Sequence, residues 1–263
     1  MTINIGIICG REIVVAADTM FCDTQIGSVS YASKMSVVEF HPCDHVLVAQ
    51  AGLPAITNRI VEIAKEKAIG KFIKSTLTVT EIFESAVRQL KNECHADQWE
   101  HGKYYGAQLL IAFFVNRKPF LFKLDVYGLG VAQDSMNHFA TAGIGGALAE
   151  YLLTEFTEPR GDSSKAIAAA IYAIKKVKTF QCATCGGNTE IRAMATMSIS
   201  NLDHPTIGRA INISQTFVNE SEKNIANMES GLRRSFKGGM LRILNDVASG
   251  IASKKIELHE KDR

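Results

Sequence analysis

The sequence predicts an α+β fold, a four-layer αββα sandwich of two antiparallel sheets with a helical C-terminal extension. Three observations predict it. Apolar runs with a period of two arrive in hairpin pairs, helical periods arrive in pairs between them, and the polar remainder from Thr216 onward is helix-forming. Hairpin strands need no parallel crossover, so they stack as two sheets, each covered on its outer face by a helix pair. A doubly wound nucleotide fold would instead alternate strand and helix one by one.

The elements follow in order. Thr2–Cys9 and Ile13–Ala17 are isoleucine- and valine-rich runs joined by a turn at Gly10-Arg11-Glu12. Val37–Phe40 and His45–Ala49 repeat the pattern around His41-Pro42-Cys43-Asp44, where proline and aspartate favour an ordinary turn over a metal-binding cluster. Ile56, Ile60, Ile63, Ala64 and Ala68 then mark one helix face, with Pro54 suited to its first turn. Thr78 with Glu81 reads as a capping box opening a second helix that carries Ile82, Ala86, Val87 and Leu90. Strands return at Ala107–Val115 and Phe120–Tyr127, helices at Gly146–Phe156 and Ser164–Thr179, and strands again at Arg192–Ser200 and Ala210–Ile213. This places one domain over residues 1–215 and a helical extension over 216–263, packed on it or projecting from it.

Composition narrows the function. The chain has 263 residues, 46% hydrophobic and 21% charged, with a net charge of +2. That suits a large soluble domain and argues against nucleic acid or membrane as its main partner. No run of eighteen apolar residues and no signal-peptide pattern appears, so a cytoplasmic protein is expected. Six cysteines then read as reduced thiols, and Cys182 and Cys185 lack the second pair a zinc site needs, so neither metal nor cofactor is expected. Gly143-Ile144-Gly145-Gly146 precedes a helix but lacks the full dinucleotide fingerprint.

The chemistry is carried by Thr2, Asp18 and Lys34. Once Met1 is removed, Thr2 holds a hydroxyl nucleophile and a free α-amine on one residue. With an ordinary pKa of about 7.7–8.0, that amine can serve as general base for its own hydroxyl. Lys34 beside it would lower the cost of an anionic oxygen, and Asp18 would supply the counter-charge. The same three residues also suit a structural ion pair beside an unremarkable N-terminal threonine.

Thr2-Ile3-Asn4-Ile5-Gly6-Ile7, Val14-Val15-Ala16-Ala17-Asp18-Thr19, Ser33-Lys34-Met35 and Val48-Ala49-Gln50-Ala51-Gly52 occur in this order. Together they resemble the opening of a proteasome β-type subunit, an N-terminal-nucleophile hydrolase, and the likeness extends over roughly the first 200 residues. A start at the strand, without the leading helix of α-type subunits, favours the β-type, and among these a bacterial homologue. The resemblance implies Thr2 as nucleophile, Asp18 and Lys34 as its charge pair, and the Gly52 N–H as oxyanion donor. It implies Phe21, Cys22, Ala32 and Gln50 as substrate-binding positions, though packing explains Phe21 and Gln50 equally well. It further implies a homo-oligomeric ring, in a stacked double ring, acting on peptide or unfolded protein and fed by an ATP-dependent unfoldase.

Three positions depart from the family pattern. Where the family keeps hydroxyl and carboxylate groups that hydrogen-bond the nucleophile, this chain has Ile144, Cys182 and Cys185, which bond weakly or not at all. The sequence therefore predicts a threonine endopeptidase of low or narrow activity. The alternatives are a catalytically inactive ring-forming scaffold of the same fold and an amidohydrolase of the wider class.

Overall fold

The computed structural model describes residues 2–23, 28–40, 44–93, 107–126, 131–132, 138–154, 162–197 and 207–231. Two five-stranded sheets carry the fold. The first holds β1 (Asn4–Cys9), β2 (Glu12–Asp18), β10 (Phe139–Ala142), β11 (Thr189–Met197) and β12 (Ile207–Asn212), in the order β10-β1-β2-β11-β12. The second runs in chain order through β5 (Met35–Glu39), β6 (His45–Ala51), β7 (Gln108–Val115), β8 (Lys118–Asp125) and β9 (Val131–Ala132). Every pairing in both sheets is antiparallel. A separate two-stranded hairpin pairs β3 (Met20–Asp23) with β4 (Ser28–Tyr31).

The layers follow from the alternation of side chains along each strand. Ile3, just before β1, and Ile5 and Ile7 on it point outward and join the core beneath α3 (Gly146–Thr154), α4 (Ser163–Phe180) and α5 (Gln215–Gly231). Gly6 faces the opposite way, where a Cβ would meet Leu110 and Leu121 of the second sheet. The inter-sheet core contains Ile13, Val15, Ala17, Leu47, Leu110 and Leu121. Beyond the second sheet, Val46, Val48, Leu109 and Ile111 pack on α1 (Pro54–Ala68) and α2 (Thr76–Glu93) through Ile60, Ile63, Ala64, Phe83 and Ala86. The expected four-layer αββα sandwich is the observed architecture.

Several boundaries differ from the sequence reading, each for a local reason. The cap of α2 is Ser75, whose Oγ accepts the Thr78 N–H at 3.3 Å, so the helix begins before the Thr78–Glu81 pair. The β7–β8 turn is tighter than a four-residue reading, because Asn116 and Arg117 adopt φ of 49° and 65° and Val115 pairs directly with Lys118. Two consecutive left-handed residues are what a two-residue hairpin requires. The short strands β3, β4, β9 and β10 carry too little apolar alternation to stand out in the sequence. The turn at residues 41–43 lies outside the described residues, as does the chain beyond 231.

The described part of the C-terminal extension is integral to the first layer. Val218 and Ile225 of α5 are fully buried in the same core as Ile3 and Ile5. Truncating such an isoleucine removes its burial and leaves a cavity. The expected cost of Ile225→Ala is about 2–5 kcal/mol in a urea titration, and a loss below about 1 kcal/mol would show that α5 packs only peripherally.

Candidate active site

Thr2 lies two residues before β1 and is 1% exposed. Three bonds hold it and the residue that follows it. Ile3 N–H donates to Asp18 Oδ1 at 3.0 Å, Asp18 N–H donates to Ile3 C=O at 3.2 Å, and Gly145 N–H donates to Thr2 C=O at 3.2 Å. Gly143, at φ 92°, leans on the same carbonyl, and a Cβ there would press into it far inside 3.0 Å. The glycine run 143–146 is thus a cradle for the Thr2 backbone. Its glycines look like a phosphate loop in sequence, but these contacts account for them.

Asp18 ends β2 with no solvent exposure. A carboxylate removed from water needs its lone pairs filled. Oδ1 accepts from Ile3 N–H and, at 2.7 Å, from Lys34 Nζ, while Oδ2 accepts from Gly186 N–H at 3.0 Å. Lys34, 1% exposed and just ahead of β5, also donates to the Met20 C=O and sits 4.7 Å from the centre of the Phe21 ring. Burial pushes its ammonium below the ordinary 10.5, and the Asp18 charge opposes that shift. Asp18 Oδ1 therefore touches both Lys34 and the backbone of the residue after Thr2.

Thr2 Oγ1 has no hydrogen-bond partner among the described residues, and neither do the two amide atoms of fully buried Asn4. The protein bonds of the Lys34 ammonium go to Asp18 and Met20. Neither member of the pair bonds the Thr2 hydroxyl.

The other positions singled out in the sequence lie around this centre. Gly52 follows β6 at φ 108°, a left-handed conformation that favours glycine. Two residues before it, Gln50 N–H donates to the Lys34 C=O at 2.8 Å, tying the end of β6 to the lysine segment. The Gln50 side chain is buried and donates to Ser36 Oγ at 2.9 Å. Phe21 and Cys22 are half-buried on β3, and exposed Ala32 donates its N–H to Thr19 C=O at 3.0 Å. Ile144 is 54% exposed and Cys182 is exposed. Cys185 is buried, and a Cβ on Gly145 would lie 3.2 Å from its sulfur. Burial first, and then the Asp18 charge, pushes the Cys185 thiol up, so it stands there as a neutral thiol. Among the described residues no group of three His, Cys, Asp or Glu is placed to hold a metal ion, and no helix is long and apolar enough to cross a membrane.

Sequence reasoning missed Gly143, Gly145, Gly186 and the Met20 carbonyl. Only the glycines left a signal, as runs at two turns, and that signal does not distinguish close packing from ligand approach.

A four-layer αββα sandwich whose inner strand follows a clamped threonine is the N-terminal-nucleophile hydrolase fold. A family model described as proteasome subunit matches residues 2–194, so the chain belongs to the proteasome subunit family. Solved structures share this fold. Anbu, an ancestral beta-subunit, from Yersinia bercovieri superposes with a TM-score of 0.67 at 11% identity, covering 88% of this chain and 95% of that one. The helical assembly of the Anbu complex from Pseudomonas aeruginosa gives 0.67 at 10% identity, covering 90% and 99%. Anbu from Hyphomicrobium sp. strain MC1 gives 0.63 at 13%, covering 89% and 99%. No curated protein matches the sequence.

The cradle predicts a matched pair of substitutions. Gly70, at φ 72°, would carry a Cβ with nothing within 4 Å, whereas a Cβ on Gly143 meets Thr2. Gly70→Ala is expected to cost only the backbone strain, about 1–3 kcal/mol. Gly143→Ala is expected to cost more, because the Thr2 carbonyl must also move. Equal urea midpoints for the two variants would mean that the cradle does not hold Thr2.

Proposed function

We propose that this protein is an N-terminal threonine peptidase that hydrolyses peptide bonds within a self-compartmentalised homo-oligomer. The observation that carries the proposal is the clamp on Thr2. Its carbonyl accepts from Gly145 N–H, the next residue, Ile3, is bonded at both N–H and C=O by Asp18 of a fully buried lysine–aspartate pair, and its hydroxyl is committed to no partner among the described residues. After Met1 removal, the Thr2 α-amine takes the hydroxyl proton as Oγ attacks the carbonyl carbon of the scissile bond. The Gly52 N–H receives the oxyanion, and Lys34 supplies fixed positive charge. Collapse expels the peptide amine, which takes the proton from the ammonium of Thr2, and water then hydrolyses the threonyl ester. In this reading Phe21, Cys22, Ala32 and Gln50 contact the substrate.

Assembly belongs to the same proposal. One Anbu structure is described as a helical assembly, and the shared fold supports an oligomer of this chain. A stacked double ring, an unfoldase feeder and a cytoplasmic location extend that reading.

A second reading, a ring-forming scaffold without activity, is favoured by particular residues. Thr2 is almost wholly buried, and Ile144 and Cys182 are exposed to solvent instead of supporting the nucleophile.

Intact mass and N-terminal sequencing establish whether Thr2 is the first residue. Incubation of the Met1-free protein with a threonine-directed epoxyketone, followed by mass spectrometry, then separates the readings. An adduct on Thr2 that vanishes in Lys34→Ala is expected. No labelling of Met1-free oligomer selects the scaffold, and light scattering measures the oligomer itself.

The pH dependence has a defined sign. Labelling rises as the Thr2 amine, with an ordinary pKa of about 7.7–8.0, loses its proton. It falls as Lys34 loses its own proton, and because burial lowers that pKa, the decline sets in below 10.5. A rate still climbing beyond pH 10.5 would remove Lys34 from the reaction.

A further inference from the structure

The family match ends at residue 194, yet a helix beyond it contacts groups that hold the segment beside Asp18. Glu222, on α5, is placed between the two buried anchors Val218 and Ile225. Its Oε1 accepts a hydrogen bond from Thr189 Oγ1 and lies 3.5 Å from Lys178 Nζ on the last turn of α4. Its backbone carbonyl accepts from Lys175, one turn earlier on α4.

Lys178 has a side chain only 15% exposed, and its ammonium also donates to Thr189 Oγ1 at 2.6 Å and to the Gly187 C=O at 2.9 Å. Burial pushes the ammonium down, and Glu222 leads the charges that oppose this, ahead of Asp18. The segment it holds is the one that serves the site. Gly186 N–H fills Asp18 Oδ2, and Asn188 exchanges two bonds with Thr19, its C=O accepting at 3.0 Å and its N–H donating to Oγ1 at 2.9 Å. Thr189 lies directly opposite Asp18 in the β2–β11 register.

We propose that Glu222 is a positioning residue for the Asp18–Lys34 pair, acting through Lys178 and residues 186–189, so that the C-terminal helix is a working part of the site. Val218 and Ile225 suffice to dock α5 by apolar burial alone. A carboxylate inserted between them onto a largely buried lysine adds desolvation cost and gains direction in return. The consequence for rate rests on the peptidase reading. The consequence for the Asp18 ligands does not, and the two are measured separately.

Hydrogen exchange of the Gly186 amide reads the structural step in the full-length protein. In Glu222→Gln, that amide is expected to exchange about tenfold faster or more, with the amides of α1 unchanged. Epoxyketone labelling of Thr2 is expected to slow about tenfold at saturation, with the half-saturating concentration moving less than about twofold. Glu222→Asp, which keeps the charge, is expected to restore much of both. If Glu222→Gln does not fold, Lys178→Met with Glu222→Leu replaces the pair by apolar groups, and the same faster exchange is expected. Unchanged Gly186 exchange, or a loss of protection shared equally with α1, overturns the proposal. Faster Gly186 exchange in a protein that never labels sustains the positioning role and defeats the peptidase reading instead.

Discussion

A buried carboxylate with every oxygen engaged organises this molecule. Asp18 cannot stay charged in an apolar interior without donors, and it draws them from three separate parts of the chain: Ile3 at the start of β1, Lys34 ahead of β5 and Gly186 ahead of β11. Each donor fixes a segment. Ile3 fixes Thr2, Lys34 links the two sheets, and Gly186 fixes the loop after α4. Removing one partner from such a pair typically costs about 3–5 kcal/mol, because the survivor stays buried and uncompensated. Energetically the pair is thus a device for specifying geometry more than for adding stability.

Most of the fold was legible in the sequence because its strands are long, apolar and paired by short turns. Alternation at Ile3, Ile5 and Ile7 and the helical period from Ile56 to Ala68 are strong signals of burial on one face. What escaped was short or polar. In the β3–β4 hairpin Phe21 and Cys22 are half-buried and every residue of β4 is exposed, so no period of two survives in hydrophobicity. The cap at Ser75 is hidden because Thr78 also satisfies the local pattern, and only the hydrogen bond separates them.

The candidate site was legible to a lesser degree. Thr2, Asp18 and Lys34 are polar residues at strand ends, and their spacing alone permits an ordinary ion pair. The resemblance to proteasome β-type subunits singled them out, and the structure brings Asp18 and Lys34 into direct contact next to Thr2. The groups that complete the arrangement are backbone atoms of Gly143, Gly145, Gly186 and Met20. Backbone donors carry no residue code, so no motif announces them. The Glu222 contact was hidden differently: it joins residues 44 apart in the chain, on two separate helices.

The alternation along β1 bears on function as well as on packing. The isoleucines at 3, 5 and 7 turn to the helices, which leaves Thr2, Asn4 and Gly6 on the face between the sheets. That face is elsewhere filled by valine, leucine and alanine, yet it contains the Thr2 hydroxyl and the Asn4 amide without partners among the described residues. An unpaired buried polar group costs on the order of 1–3 kcal/mol relative to a paired one. Apolar residues at both positions would pack this face at lower cost, as they do along β2. The proposed peptidase reading gives that expense a use, because it needs a hydroxyl that is held through its backbone and left without a side-chain partner among the described residues.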